Sequence, residues 1–294
     1  MHASFKDFAQ GFVELRAKGA ALVAVAPEPA HFKPPAPDAP VCMVFAPHPD
    51  DEAIFAALPL RLRHEDHWRV VNVPVTLGSR LDRRAARWRE MQNCCLQLGF
   101  EVASVTGKAR EGLEHAQVAH RRSDPAHWAA NVQRIAKLIQ KYQPRAIVCP
   151  HAQDGHPVHM GTHWLVVDAL RQLAPPQPVH LLLAEYWNTQ MQPRLMVQAS
   201  AAQVGHMLGA LMQHTAEVAR NPYHLTLPAW LMDGVRRGAE RVGAPGSAAP
   251  NFDFAALYGW QLWHAGRLRK QSGAILASGQ SVGALLVSCP PILL

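Results

Sequence analysis

The sequence lacks any apolar run that approaches the ~20 residues of a transmembrane helix, so we expect no membrane span. The apolar stretch at residues 12–27 is interrupted by one acidic and two basic residues, which predicts a helix rather than an export signal. Cysteine is scarce, with five in 294 residues, and no two of them form a CxxC pair. Cys42 and Cys149 lie in apolar runs, where reduced cysteine behaves as a small hydrophobic residue. This usage favours a cytoplasmic protein over one with a disulfide framework.

The chain also lacks an internal repeat and an aromatic-rich RNA-binding signature. Its formal charge is +7 and its pI is near 9.4, but the arginines are mostly scattered along the chain. This balance indicates an acidic small substrate, or no particular partner, rather than nucleic acid. The first strand–helix turn has no GxGxxG motif, which excludes a dinucleotide binder, because the pyrophosphate needs those glycines. The sequence leaves open whether the chain forms a homo-oligomer.

Apolar, strand-like runs alternate with helical segments from residue 41 to residue 187. This alternation predicts an α/β fold with a Rossmann-like, doubly wound, mainly parallel sheet that is flanked by helices. Right-handed crossovers then place the loops that follow the strands along one edge of the sheet. The predicted strands are residues 41–46, 68–76, 101–106, 145–149 and 179–187. The main predicted helices are residues 53–63, a helix capped by Asp82 that ends at 98, one that starts at 123–125, and residues 160–173, 201–220 and 228–242.

The regions outside this alternating segment have a different composition. Residues 4–25 look helical, and six prolines within residues 27–40 predict an extended strap, because dense proline sustains neither helix nor central strand. We therefore divide the chain into an N-terminal helix and proline-rich strap (1–40), a central domain with a mixed C-terminal extension (41–270), and a tail of uncertain structure (271–294).

One histidine and three carboxylates lie together in the turn after the first strand: His48, Asp50, Asp51 and Glu52. In an open α/β sheet, ligands bind in the crevice outside the carboxyl ends of the strands, where this turn is expected. Negative charge in such a place is costly unless a positive group neutralises it, and a divalent metal ion is the simplest such group. The alternative, an aspartate that only caps the helix, needs one carboxylate and no histidine.

A second loop with metal-binding side chains, residues 150–159, follows the fourth predicted strand. A catalytic zinc ion commonly takes three nitrogen or oxygen ligands and keeps one position for water. His48 and Asp51 could supply two ligands, and a histidine of the second loop could supply the third. Asp50 would then lie beside the metal, available as a general base.

The two loops resemble motifs of a known family, the LmbE-like or PIG-L-like zinc-dependent N-deacetylases. The first resembles its (A/P)HPDDE signature and reads Pro47-His48-Pro49-Asp50-Asp51-Glu52. The second resembles its HPDH motif and reads His156-Pro157-Val158-His159. Residues 75–79 and 87–100 are similar to the family's second strand and the helix after it. The resemblance covers residues 40–230 and implies that the central domain is a deacetylase domain.

The resemblance implies a reaction and a set of residues. The reaction is hydrolysis of an N-acetyl amide on a glucosamine-type sugar or sugar conjugate, with metal-bound water as the nucleophile. One Zn²⁺ per chain would be held by His48, Asp51 and His159. Asp50 would be the general base, and His156 would stabilise the oxyanion or assist as an acid.

Three further residues are candidates for substrate binding. Arg87 matches an arginine that the family places near the substrate, although an intrahelical pair with Glu90 is the alternative. Tyr186 ends the fifth strand at the ligand edge, where it can stack on a sugar ring or pack in the core. Asp154 precedes His156 by two residues and can contact the substrate or support a neighbouring histidine.

The sequence departs from the family pattern at two places. Val158 replaces the aspartate of HPDH, and the loss of such a supporting residue can lower metal affinity or activity roughly 10- to 100-fold. Residues 55–58 replace the family's glycines, and their larger side chains are expected to narrow or reshape the pocket floor. These departures favour a second hypothesis, a catalytically silent carbohydrate- or nucleotide-sugar-binding protein. The intact histidines and aspartates of the two motifs favour the enzyme.

Overall fold

One mixed sheet forms the centre of the computed structural model, which describes residues 4–22, 26–28 and 31–288. The strands are β1 Val41–Ala46, β2 Arg69–Pro74, β3 Glu101–Val102, β4 Ala146–Pro150, β5 Val179–Ala184, β6 Leu195–Ala199, β7 Phe254–His264, β8 Arg267–Lys270 and β9 Ala274–Leu276. The helices are α1 Phe5–Ala20, α2 Asp51–Ile54, α3 Ala57–His64, α4 Arg84–Leu98, α5 His120–Ser123, α6 Pro125–Tyr142, α7 Pro157–Leu173, α8 Ala201–Leu211, α9 Thr215–Arg220, α10 Tyr223–Gly238 and α11 Val282–Ser288. A 3₁₀ turn spans Leu81–Arg83, and a π-helical turn spans Ala239–Gly243.

The strands follow the order β3-β2-β1-β4-β5-β7-β6-β9, and β8 pairs with β7. Strands β1 to β5 pair in parallel, whereas β7 is antiparallel to both β5 and β6. The prediction of an α/β fold with a mostly parallel sheet flanked by helices is therefore confirmed. The chain runs outward in opposite directions from β1 and β4, and the crevice at such a switch point is the usual ligand site of an open α/β sheet.

Helices cover both faces of the sheet, which explains the uninterrupted apolar runs of its central strands. In β1, Cys42 and Val44 pack into one apolar core, while Met43 and Phe45 pack into the other. The first core contains residues of α3, α4 and α8, and the second contains residues of α6 and α7. A parallel sheet that is buried on both faces requires strands of this kind.

The helix predicted at residues 53–63 is two helices, α2 and α3, with a break at residues 55–56. The break follows from Pro59, which has no N–H to donate to the carbonyl of Phe55 four positions earlier. The hydroxyl of Tyr258 donates to that carbonyl instead, at 3.0 Å. The break thus links the end of the acidic turn to strand β7.

Other predicted boundaries are wrong as well, among them that of the strand at residues 101–106, which forms only at Glu101–Val102. The helix predicted at residues 201–220 is interrupted at residues 212–214, where no glycine or proline signals a break. The helix predicted after it begins earlier, at Tyr223. Asp82 does not cap α4, because it lies in the preceding 3₁₀ turn and its carboxylate pairs with Arg80 at 2.6 Å.

The N-terminal part of the chain begins with α1, whose first turn is capped by Ser4 and Asp7. Residues 31–40 contain neither helix nor strand, and the carbonyl of Lys33 accepts a hydrogen bond from Arg63 at 2.6 Å. Among the described residues, no helix combines the length and the apolar composition that crossing a bilayer requires. The four described cysteines are buried and unpaired, and the fifth, Cys289, lies outside the described residues.

The described part of the C-terminal segment adds β9 to the sheet beside β6 and ends in α11. One of its attachments is Arg61 of α3, which has no exposed surface. The guanidinium donates to the carbonyls of Ala277 and Gln280, at 3.0 and 2.6 Å, and to that of Gln198 at 3.3 Å. It also pairs with Glu65 at 2.9 Å. One buried cation therefore joins α3, the end of β6 and the C-terminal segment.

We predict that Arg61→Ala lowers the free energy of unfolding by about 3–5 kcal/mol, because it leaves buried carbonyl groups and Glu65 without their partner. Urea unfolding followed by circular dichroism measures this change. The control is Arg89→Ala, which truncates an exposed arginine on α4. A loss below about 1 kcal/mol, the size expected for an exposed ion pair, would contradict the role assigned to Arg61.

Candidate metal centre and active site

The loops that follow β1, β2, β4 and β5 converge at the carboxyl edge of the sheet. They enclose a cavity of about 620 Å³, which the residues of both sequence motifs line. The lining includes five of the predicted residues of the two motifs: His48, Asp50, Asp51, His156 and His159. The C-terminal half contributes the remaining wall through α9 and the start of α10. The structure therefore brings the two motifs together, as the sequence predicts.

The three predicted metal ligands form a compact cluster. Asp51 Oδ2 lies 3.4 Å from His48 Nδ1 and 3.3 Å from His159 Nε2. It also accepts the backbone N–H of His48 at 2.9 Å, which fixes the carboxylate within the turn. Two imidazoles and a carboxylate at these separations form the donor set that a catalytic zinc ion commonly takes.

His156, predicted to stabilise the oxyanion or to act as an acid, lies directly beside this cluster. Candidate ligand atoms of His48, His156 and His159 all lie within 4.8 Å of one another. His156 caps α7, and its Nδ1 accepts the N–H of Val158 at 3.3 Å, so Nε2 is the atom left for another partner. Burial, together with His48 and His159, lowers the pKa of His156, which favours a neutral imidazole. A neutral imidazole can bind a metal ion or donate one hydrogen bond.

The charges of Asp51 and His159 are strongly coupled. Burial alone would lower the pKa of His159, but the carboxylates of Asp51 and Asp154 outweigh it and raise this pKa to about 10. Burial tends to raise the pKa of Asp51, but His159 and His48 together lower it. Asp51 and His159 therefore form a buried ion pair in the absence of a metal ion. A divalent cation would take the place of the imidazole proton, so the residues fit a metal centre.

We predict that zinc binding at pH 7 releases about one proton, because an imidazole with a raised pKa must lose its proton before it can bind a metal ion. Between pH 7 and about pH 10 the affinity should rise roughly tenfold per pH unit, as deprotonation becomes less costly. Calorimetric titration with Zn²⁺ in buffers of different ionisation enthalpy measures both effects. Absence of a stoichiometric divalent ion would overturn the assignment of the site.

Asp154 supplies the carboxylate that the second motif lacks because of Val158. It has no exposed surface, and its Oδ1 lies 3.3 Å from His159 Nδ1, while Oδ2 accepts the N–H of Trp187 at 3.4 Å. A carboxylate behind a metal-binding histidine orients the ring and raises its basicity. This position is that of a supporting residue and does not favour the predicted contact between Asp154 and the substrate.

Asp50 lies beside the cluster in an unusual backbone conformation, with φ 127° and ψ −32°. Only glycine adopts such angles readily, so surrounding contacts must hold this residue in place. Its N–H donates to Glu52 Oε2 at 3.0 Å, and its Oδ2 accepts the hydroxyl of Tyr223 at 2.8 Å. Burial, followed by the neighbouring Asp51 carboxylate, raises the pKa of Asp50 to about 7. A carboxyl group with this pKa can take up and return a proton near neutral pH.

Two residues that hold this turn, His214 and Tyr223, were not found from the sequence. Glu52 is fully buried, and its Oε1 lies 2.8 Å from His214 Nε2, which comes from the break between α8 and α9. Burial alone would lower the pKa of His214, but Glu52 and Asp50 raise it. The second missed residue is Tyr223, at the start of α10. Neither residue lies in a motif, and the only local signal is a polar or aromatic residue in a weakly patterned region.

The remaining predicted contacts are only partly as expected. Arg87 lines the cavity and donates to the carbonyl of Pro49 at 3.0 Å, so it does not form the alternative pair with Glu90. Tyr186 lines the cavity and is partly buried, which raises its pKa to about 12. Its neighbour Trp187 is 59% exposed and stacks on His156, with ring centroids 5.8 Å apart. The more accessible aromatic surface is therefore that of Trp187.

The bulky residues 55–58 do not narrow the cavity. They are buried in the apolar core, and none of them lies in the cavity lining. Phe55 instead packs edge to face against His159, with ring centroids 6.3 Å apart. These residues thus do not form the pocket floor that they were expected to narrow or reshape, because their side chains belong to the apolar core.

Fold and cluster together define an α/β protein with a candidate metal centre at the carboxyl edge of its sheet. Residues 43–170 match the family model of PIG-L, described as GlcNAc-PI de-N-acetylase. This range contains both motifs and matches the family that the sequence resembles. No curated protein matches the chain in sequence.

Several solved structures share the fold. N,N'-diacetylchitobiose deacetylase from Pyrococcus horikoshii has a TM-score of 0.51 and 13% identity, covering 90% of this chain and 94% of that one. The zinc-inhibited form of teicoplanin deacetylase Orf2 has a TM-score of 0.53 and 16% identity, covering 79% and 100%. GalB, the 4-carboxy-2-hydroxymuconate hydratase from Pseudomonas putida KT2440, has a TM-score of 0.54 and 15% identity, covering 75% and 95%. At these identities the likeness establishes the fold alone.

Proposed function

We propose that this protein is a metal-dependent enzyme that hydrolyses the N-acetyl amide of a glucosamine-type sugar or sugar conjugate. The family model that it matches is described as a de-N-acetylase, and two proteins that share its fold are deacetylases of a sugar and of teicoplanin. The observation that carries the proposal is the position of Asp50. A carboxyl group with a pKa near 7 lies beside a cluster of histidine and aspartate side chains that fits a metal ion.

Each step of the proposed hydrolysis can be assigned to residues of the cavity. The ion, which we propose is one Zn²⁺ per chain on His48, Asp51 and His159, would polarise the amide carbonyl and make a water molecule acidic. Asp50 takes the proton as water attacks the carbonyl carbon, and returns it to the leaving amine. The hydroxyl of Tyr223 holds Oδ2 of Asp50, so Oδ1 is the oxygen available for this transfer.

The substrate has two further partners in the cavity. His156, as a neutral imidazole, donates a hydrogen bond to the oxyanion that forms when water attacks, or completes the ligand set of the metal ion. Its lowered pKa argues against the predicted role as a proton donor. The exposed ring of Trp187 provides a face on which a sugar ring can stack.

A second candidate function is hydration of a carbon–carbon double bond. GalB shares the fold and is a hydratase, and this reaction also needs an activated water molecule and a base. The third hypothesis, a silent carbohydrate-binding protein, predicts sugar binding without turnover. Release of a primary amine identifies a deacetylase, whereas loss of ultraviolet absorbance from a conjugated dienoate identifies a hydratase. Location in the cytoplasm remains a prediction.

We predict that the zinc-loaded protein releases primary amine from at least one member of a panel of N-acetylated sugars, sugar lipids and glycopeptides. Asp50→Asn should lower this rate about 10²- to 10⁴-fold, because the amide cannot accept the proton. Zinc stoichiometry, measured by calorimetry, should stay unchanged. Retained activity in this variant would refute Asp50 as the base, and loss of zinc would show that Asp50 belongs to the ligand set.

We predict that Tyr223→Phe lowers kcat roughly 10- to 100-fold and leaves KM nearly unchanged, since the lost hydrogen bond positions Asp50 and not the substrate. Burial, together with Asp50, raises the pKa of Tyr223, so the hydroxyl remains protonated and acts as the donor. The matched control is Tyr142→Phe at the end of α6, outside the cavity lining. A change in KM alone would indicate that Tyr223 contacts the substrate instead.

A further inference from the structure

One part of the cavity lining is rich in arginine. Arg80 and Arg83 come from the segment before α4, Arg87 comes from α4 itself, and Arg220 ends α9. A neutral N-acetylated sugar offers hydroxyl groups and an amide, which do not need several guanidinium groups. This excess of cationic donors beside the candidate metal centre has no role in the mechanism above.

Within the cavity lining, the carboxylates do not balance these arginines, since Asp82 and Glu90, the partners of Arg80 and Arg83, lie outside it. Apart from the two aspartates of the first motif, Glu217 is the one acidic residue among the described residues of the lining. Glu217 contacts both Arg220 and Arg87, the latter at 3.7 Å. Arg83 has only a long contact with Glu90, at 3.4 Å. The lining therefore holds more guanidinium groups than carboxylates that could neutralise them.

The arginines also differ in how firmly they are held. Arg87 is largely buried and donates to backbone carbonyls, so its place is structural. The side chains of Arg80 and Arg220 are 73% and 70% exposed. Arg80 pairs with Asp82, which is 63% exposed, whereas Arg220 pairs with Glu217, which is 8% exposed. An exposed ion pair such as Arg80–Asp82 contributes little stability, so Arg80 can exchange its partner for a ligand. Glu217 keeps Arg87 as a second partner, so the exposed guanidinium of Arg220 can also turn to a ligand. Arg83 is 29% exposed, so its accessibility is intermediate between that of Arg87 and that of Arg80 and Arg220.

Guanidinium groups bind phosphate and carboxylate oxygens through paired, charge-assisted hydrogen bonds. A concave site lined by one sign of charge also concentrates ligands of the opposite sign. We propose that the substrate carries a phosphate or carboxylate group in addition to its N-acetylated sugar, and that Arg80, Arg83 and Arg220 bind this group. The inference rests on the proposed function, because it places the sugar at the candidate metal centre.

The experiment measures binding in the zinc-loaded Asp50→Asn protein, so it does not depend on turnover. The probes are N-acetylglucosamine, its 1-phosphate and 6-phosphate, and N-acetylmuramic acid, which carries a carboxylate. Calorimetry should show at least one anionic sugar binding roughly tenfold or more tightly than N-acetylglucosamine. This advantage should shrink as salt is raised from 50 to 300 mM, since the pairs are partly exposed. The phosphate and carboxylate probes distinguish the two kinds of anionic group.

Substitutions then locate the anion site. Arg83→Gln and Arg220→Gln should each remove much of this advantage and lower the ratio of anionic to neutral affinity roughly 3- to 10-fold. Arg83→Lys, which keeps the charge but not the paired donors, should lose less. The control is Arg89→Gln, an exposed arginine of α4 outside the cavity lining. Equal affinity for neutral and anionic sugars, or an equal loss in the control, would overturn the proposal.

The two proposals fail in different ways. If an anionic sugar binds through these arginines but the unmodified protein releases no amine from it, the deacetylase function is wrong and the anion site stands. If amine is released from neutral and anionic sugars with the same kcat/KM, the deacetylase function stands and the anion site is wrong.

Discussion

The candidate site depends on one buried carboxylate, that of Glu52. One of its oxygens accepts the N–H of Asp50 at 3.0 Å, and the other lies 2.8 Å from Nε2 of His214. All of Glu52 and His214 is buried, so removal of either partner would leave a polar or charged group without compensation, at a cost of about 3–5 kcal/mol. The acidic turn is therefore held by the C-terminal half of the chain, and residues 43–170, which match the PIG-L family model, do not contain all that shapes the candidate site.

The features that could be predicted from the sequence are those with a local signal. Strand β1 is an uninterrupted apolar run, and the acidic turn follows it directly, so both the strand and the place of the turn at the sheet edge were expected. The two motifs carry their chemistry in adjacent residues. Helix α4 and the strands β4 and β5 were similarly placed to within a few residues, because their apolar periodicity is set by burial on the sheet.

The features that could not be predicted depend on contacts between distant parts of the chain. His214 and Tyr223 act on residues 162 and 173 positions earlier, and nothing in their neighbourhoods marks them. Strand β7 is aromatic and long, but only its pairing with β5 and β6 shows that it enters the centre of the sheet. The support that Asp154 gives to His159 is different, since it was one of two alternatives that the sequence offered, and the 3.3 Å contact favours this one. The roles of these residues and of β7 depend on tertiary contacts, which leave no local pattern in a single sequence.

The backbone at Asp50 has a consequence for any attempt to make this protein more robust. At φ 127° a side chain costs of the order of 1–3 kcal/mol relative to a relaxed conformation, a cost that glycine does not carry. Glycine at position 50 would therefore relieve strain while it removed the carboxyl group beside the candidate metal centre. Selection of variants by thermal stability alone would favour this loss. Stability and activity are opposed at this one residue, so a screen for robust variants has to measure turnover as well as melting temperature.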